Sequence, residues 1–100
     1  MWLPRDDVSR EEALGYWRDK HSRLVEGVPG VKRYVQDHCI AGPDGKDPPY
    51  AGIGELRFES LEAAKRALAT PEWQSVLDDA ARFMDLEAVS AAWAEEHPIF

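Results

Sequence analysis

Cysteine is nearly absent: Cys39 stands alone among 100 residues. An internal disulfide is therefore excluded, and so is a cage of thiolates around a metal. A reducing cytoplasm suits such a chain. Basic residues are scarce as well, 12 Lys and Arg against 19 Asp and Glu, for a formal net charge of −7. A field of that sign repels nucleic acid and anionic membrane surfaces, and no Lys/Arg cluster stands apart to offset it. Long apolar runs are missing, so no segment reaches transmembrane length, and the acidic start "MWLPRDDVSREE" lacks a signal-peptide core. No internal repeat is present. The glycines of "GPDGKDPPYAGIG" lack the spacing and the following helix of a phosphate loop. His21, His38 and His97 show no metal-ligand spacing, and there is no paired carboxylate set, so no metal site is expected.

What is present describes a folded chain. With 44% hydrophobic and 31% charged residues, positions 1–100 suit a single domain. Four Trp in this length favour a small-molecule cavity or an interface, because large flat side chains build both.

"SREE" at Ser9–Glu12 is a capping box, so a helix starts near Arg10 and runs to about Glu26, where Gly27, Pro29 and Gly30 end it. Leu14, Trp17, His21, Leu24 and Val28 share its inner face. Glu12, Asp19, Arg23 and Glu26 lie outside, with Asp19 and Arg23 spaced as an ion pair. "VKRYVQDHCI" reads as a strand. Val31, Arg33, Val35, Asp37 and Cys39 take one face, and Lys32, Tyr34, Gln36, His38 and Ile40 the other. Neither face is cleanly apolar, so both should be partly covered.

"AGPDGKDPPYAG" is loop, and "IGELRFE" is a second strand with Leu56 and Phe58 opposite Glu55 and Arg57. Ser60 caps a helix with Leu61, Ala64 and Leu68 inward. Thr70, Pro71 and Glu72 start another, whose stripe is Trp73, Val76, Leu77, Ala80, Ala81 and Met84. Asp78, Asp79 and Arg82 read as its solvated face. The tail "AVSAAWAEEHPIF" suits a helix or an edge strand, with His97 structural. Counting "MWLP" as a first strand, the order is β-α-β-β-α-β, an α+β, ferredoxin-like fold with an antiparallel sheet.

Tyr16, Trp17, Arg18 and His21, then Pro29, Gly30, Arg33 and Tyr34, then the Pro71-Glu72-Trp73 helix start and the terminal "EEHPIF", together resemble the EthD family of the dimeric α/β-barrel superfamily. The resemblance covers nearly all the chain after Ser9. Only Met1–Pro4 precede the capped helix, which leaves either a very short first strand or a truncated start. The resemblance implies a homodimer whose two sheets close a barrel, and a cofactor-free pocket. Superfamily relatives work as cyclases, dehydratases, decarboxylases, isomerases or monooxygenases on aromatic, polyketide-like or xenobiotic molecules.

His21 is the leading site residue, because a titratable ring interrupts an otherwise apolar face. It reads either as a general acid/base beside Trp17 or as a core histidine bonded to a backbone carbonyl. Tyr34 is the second candidate, to polarise a substrate oxygen. Tyr34 and His38 share a strand face that can line the barrel interior, which would set His38 across the sheet from His21. Glu55 and Arg57 can form an ion pair inside the barrel, and Trp17, Trp73 and Phe83 can wall a pocket. The reading that follows is a cofactor-independent lyase or isomerase, cytoplasmic, acting by proton transfer on a small hydrophobic, oxygenated molecule. The alternatives are a binding or accessory protein for an oxidoreductase and a cofactorless monooxygenase.

Overall fold

Ser9 opens the first helix: its Oγ accepts from the Glu12 N–H at 3.1 Å in the computed structural model, which describes residues 1–100. The second half of the capping box differs from expectation, because the Glu12 carboxylate accepts from the Ser9 hydroxyl rather than from its backbone N–H. Residues 10–26 are helical throughout but not uniformly. α1 (Arg10–Tyr16) and α2 (Ser22–Glu26) are joined by a π turn, Trp17–His21. There the Ser22 N–H reaches the Trp17 carbonyl, five residues back. The Arg18 carbonyl would otherwise lose its partner, and the Ser22 hydroxyl bonds it at 2.6 Å.

This wide turn shifts the inward stripe. Ala13, Trp17, His21, Val25 and Val28 are buried, while Leu24, expected inside, is 37% exposed. Asp19 pairs with its neighbour Arg18 at 2.8 Å rather than with Arg23.

β1 (Arg33–His38) and β2 (Gly52–Arg57) form an antiparallel pair, with Tyr34 opposite Leu56, Gln36 opposite Gly54 and His38 opposite Gly52. The chain start extends this sheet by single bridges, Trp2 to Gly52 and Pro4 to Met84. The loop before β2 has a closed neck. The Cys39 N–H bonds the Ala51 carbonyl at 2.9 Å. Arg10 Nη2 donates to the carbonyls of Tyr50 at 2.6 Å and Cys39 at 3.4 Å.

α3 (Leu61–Leu68) is capped by Ser60 and α4 (Pro71–Ala80) by Thr70, each cap worth about 1 kcal/mol. Ala64 and Ala67 face inward from α3, as do Val76 and Ala80 from α4. Leu61 and Leu77, both expected inside, face solvent. Beyond a 3₁₀ turn at Leu86–Ala88 the tail is neither helix nor strand, and residues 91–100 are exposed. It is tied down by mutual Met1–Ser90 bonds and by Glu96 on Arg57. His97 is exposed beside Glu95, so it is a surface group and not a structural one. No helix is long and apolar enough to cross a membrane.

Two buried clusters sit between helices and sheet. Trp2, Ala13, Trp17, Ala51 and Phe83 make one, and Val25, Val28, Ala67 and Val76 the other. In the first, Trp2 meets Trp17 and Phe83 edge-on, with centroids 5.1 and 5.4 Å apart, the favourable aromatic geometry. The Trp17 ring lies on Gly52 and Gly54. A Cβ on Gly52 would fall 2.6 Å from Trp17 Cζ3 and 2.5 Å from Trp2 Nε1, whereas one on Gly54 would stand 3.4 Å from Trp17 Cζ2. These glycines belong to a strand because an indole needs their floor.

Gly52→Ala is therefore expected to destabilise by about 1–3 kcal/mol through overpacking, and Gly54→Ala by distinctly less. Denaturant midpoints of the two variants check this.

Candidate polar site at the helix junction

Tyr16 and His21 are five residues apart, which in a regular α-helix sets them about 140° apart around the axis. The π turn brings position i+5 over position i, so both side chains reach the same acceptor. That acceptor is Asp79 on α4. The Tyr16 hydroxyl donates to Asp79 Oδ1 at 2.6 Å, and His21 Nδ1 meets Asp79 Oδ2 at 2.8 Å. The His21 and Asp79 side chains are only 4% and 12% exposed. The Phe83 ring closes the site, with its centroid 5.1 Å from that of His21 and 5.1 Å from that of Tyr16. His21 Nε2 has no hydrogen-bond partner within the chain. The Tyr16 phenol is raised above the ordinary tyrosine range, first by its bond to the Asp79 carboxylate and then by burial.

Asp79 was expected on a solvated face with Asp78 and Arg82. It turns inward because Val76, Asp79, Ala80 and Phe83 share one face of the helix and its continuation, three and four residues apart. Arg82 approaches from the solvent side, with Nε 3.6 Å from Asp79 Oδ1. Asp78 accepts from Gln74 Nε2 at 2.9 Å.

A second network runs along β1. Gln36 Nε2 donates to the Trp17 carbonyl and to Tyr34 Oη, each at 3.0 Å, and Gln36 Oε1 faces His38 Nε2 at 3.0 Å. An amide oxygen only accepts, so this arrangement puts the proton on His38 Nε2. Tyr34 Oη is already an acceptor here, which leaves its own proton free to donate. Burial pushes the Tyr34 phenol up, and donors on Gln36 and Trp17 offset only part of that.

This network corrects two expectations. Tyr34 and His38 face the helices rather than a barrel interior. The His38 ring lies 5.0 Å from that of Trp17, so His38 is on the helix side of the sheet and not across it from His21. Glu55 does pair with Arg57, at 3.1 Å, but on the far face and half-exposed, away from His21. Trp73 packs against the Val25–Val76 cluster, also apart from His21. The site thus joins His21 with Phe83, and Trp17 with Tyr34 and His38. Tyr16, Gln36 and Asp79 are members that the sequence reading did not single out.

Two clefts flank these networks. One of about 260 Å³ is lined by Leu24, Ser75, Asp78, Asp79 and Arg82, and one of about 230 Å³ is lined by Val25, Glu26, Val31, Lys32, Arg33 and Tyr34. Asp79 and Tyr34 each border one of them, and His21 borders neither.

Fold and site together define a small α+β protein with a histidine–carboxylate pair buried where its helices meet. The EthD domain model matches residues 5–87, and the chain belongs to the EthD family. It is 35% identical over 80 residues to an uncharacterized 11.0 kDa protein of the thcB-thcC intergenic region in Rhodococcus erythropolis, covering 80% of this chain and 74% of that one. Its structure is similar to the crystal structure of an ethyl tert-butyl ether D (EthD) family protein from Bacillus halodurans C-125. The TM-score is 0.82 over 96% of this chain and 93% of the other, at 17% identity, a likeness of fold.

Both raised phenols carry a pH consequence. A folded-state value above the unfolded one means the native state holds its proton longer. That stabilisation is complete below the ordinary tyrosine value of about 10 and is lost as pH rises through the folded value. Stability should fall above about pH 10, and Tyr34→Phe should flatten the fall, as read from urea midpoints across the alkaline range.

Proposed function

We propose that this EthD-family chain is a cofactor-independent enzyme of the lyase or isomerase type. It moves a proton on a small hydrophobic, oxygenated molecule, with His21 as general acid/base and Tyr34 as donor to the substrate oxygen. The observation that carries this reading is the buried His21 ring, bonded to the protein through Nδ1 with Nε2 left over. A base needs such a nitrogen, and a carboxylate beside it stabilises the cation that forms. Tyr34 supports the electrophilic role, because burial keeps it protonated and its proton is uncommitted. Trp17, His38 and Phe83 border the two polar networks as substrate-facing walls in this reading.

The chain is further read as one ferredoxin-like domain that works as a cytoplasmic homodimer. The bridges support the first part. Met84, Pro4, Gly52 and then β1 lie side by side, the 4-1-3-2 order of a β-α-β-β-α-β sheet. The far face of that sheet, with Ile53 37% exposed between charged neighbours, is where the second copy pairs. A second reading, a non-catalytic binding or accessory protein, is favoured by one observation: His21 borders neither cleft.

The test is exchange of α-protons of a small aromatic ketone, such as 2-tetralone, into heavy water, followed by NMR. Wild-type protein should accelerate exchange, and His21→Gln, which keeps a donor for Asp79, should slow it by about 10²- to 10⁴-fold. Unchanged exchange in pure His21→Gln overturns the assignment. Light scattering should give twice the 11.3 kDa chain mass for the dimer, and a single-chain mass refutes it.

A further inference from the structure

We propose that Asp79 and Tyr16 are positioning residues, which lock the His21 ring as its Nδ1–H tautomer and so reserve the Nε2 lone pair for proton abstraction. The inference deepens the acid/base reading of His21 and rests on it for its catalytic consequence, but the tautomer can be observed without any substrate.

A carboxylate accepts and cannot donate, so at 2.8 Å from Asp79 Oδ2 the His21 Nδ1 must carry the hydrogen. In a neutral imidazole the other nitrogen is then bare. The other oxygen of the Asp79 carboxylate is occupied, so that Oδ2 faces the ring. Arg82, just beyond the end of α4, lies on the solvent side with Nε 3.6 Å from Oδ1 and leaves Oδ2 free. The Tyr16 hydroxyl holds that same Oδ1 at 2.6 Å and fixes the rotation of the group, with Oδ2 directed at His21.

The other charged groups nearby leave this pairing intact. Asp78 is occupied by Gln74, and Lys20 sits over the Tyr16 ring, 6.0 Å from its centroid, rather than at the hydroxyl. The wide turn between Tyr16 and His21 lets one carboxylate serve both, and neither Asp79 nor Tyr16 needs to touch substrate.

The step served is redox-neutral. Nε2 takes a proton from carbon next to a carbonyl; the C–H electron pair becomes the C=C bond of the enolate, and the C=O π pair moves onto oxygen. Asp79 stabilises the resulting imidazolium, which returns the proton to carbon. The substrate class is therefore a carbon acid activated by a carbonyl group.

The experiment is long-range ¹H–¹⁵N NMR of labelled protein in weakly alkaline buffer, where an imidazole is neutral. His21 should show a protonated Nδ1 and a bare Nε2. Asp79→Asn, whose amide can donate to Nδ1, should move the proton to Nε2. Tyr16→Phe should give a mixture, and Asp79→Glu should restore the Nδ1–H form. Ketone exchange should drop by about 10²-fold or more in Asp79→Asn, with near-ultraviolet dichroism of the Trp2–Trp17 core unchanged. A wild-type ring protonated at Nε2, or a tautomer indifferent to Asp79→Asn, overturns the proposal. An Asp79-dependent Nδ1–H ring in a protein that exchanges nothing upholds the locking and overturns only the acid/base reading.

Discussion

Between Trp17 and Ser22 the helix closes its hydrogen bond over five residues instead of four, and the surroundings are arranged around that change. It carries the inward stripe from Ala13 through Trp17 and His21 to Val25, where an unbroken α-helix would have presented Leu24. It puts Tyr16 and His21 on one line, so that a single carboxylate from α4 bonds both. The disturbance is contained locally. Ser22 supplies a hydroxyl to the Arg18 carbonyl, and Gln36 of β1 adds a second donor to the Trp17 carbonyl. With the Arg18 and Trp17 carbonyls supplied in this way, the wide turn can persist inside a packed interface.

The two networks meet at Trp17 from opposite directions. Its carbonyl is held by Gln36, and its ring rests on Gly52 and Gly54, with Trp2 edge-on and His38 tilted against it. Burying a side chain of this size is worth about 3 kcal/mol, a large share of what a domain of this length has in reserve. The same ring therefore sets the distance between helix and sheet and, through its backbone, the orientation of the Gln36 amide. Tyr34 takes its protonation pattern from that amide. Packing and polar chemistry are coupled through one residue.

Much of the fold was legible in the sequence, for local reasons. Ser9, Ser60 and Thr70 each begin a helix as their chemistry requires, and Gly27, Pro29 and Gly30 end one. The alternation of β2 and the residue after it sets Leu56 and Phe58 on one side, and both pack against the Val25–Val76 cluster. The misses have separate physical causes. Counting by the α-helical period hid the Tyr16–His21 pairing and misplaced Leu24. The charge of Asp79 points to solvent, although its spacing from Val76 and Phe83 puts it inside. Tyr34 and His38 lie on the helix side of the sheet, which their pattern does not disclose. Their face is mixed in polarity, and only the two glycines opposite Gln36 and His38 mark it as the side that receives an indole.

The neck beneath the loop preceding β2 has a separate consequence. Arg10 grips both ends of that loop at the carbonyls of Cys39 and Tyr50, and a backbone bond joins Cys39 to Ala51. Strand register is thus fixed below the constriction and takes no information from the residues above it. Lengthening a loop whose ends are already clamped costs little, roughly 0.6 kcal/mol for each doubling. The segment around Pro43–Lys46 is consequently the place where related chains can differ in length, or a peptide can be spliced in, while the helix junction beneath keeps its geometry.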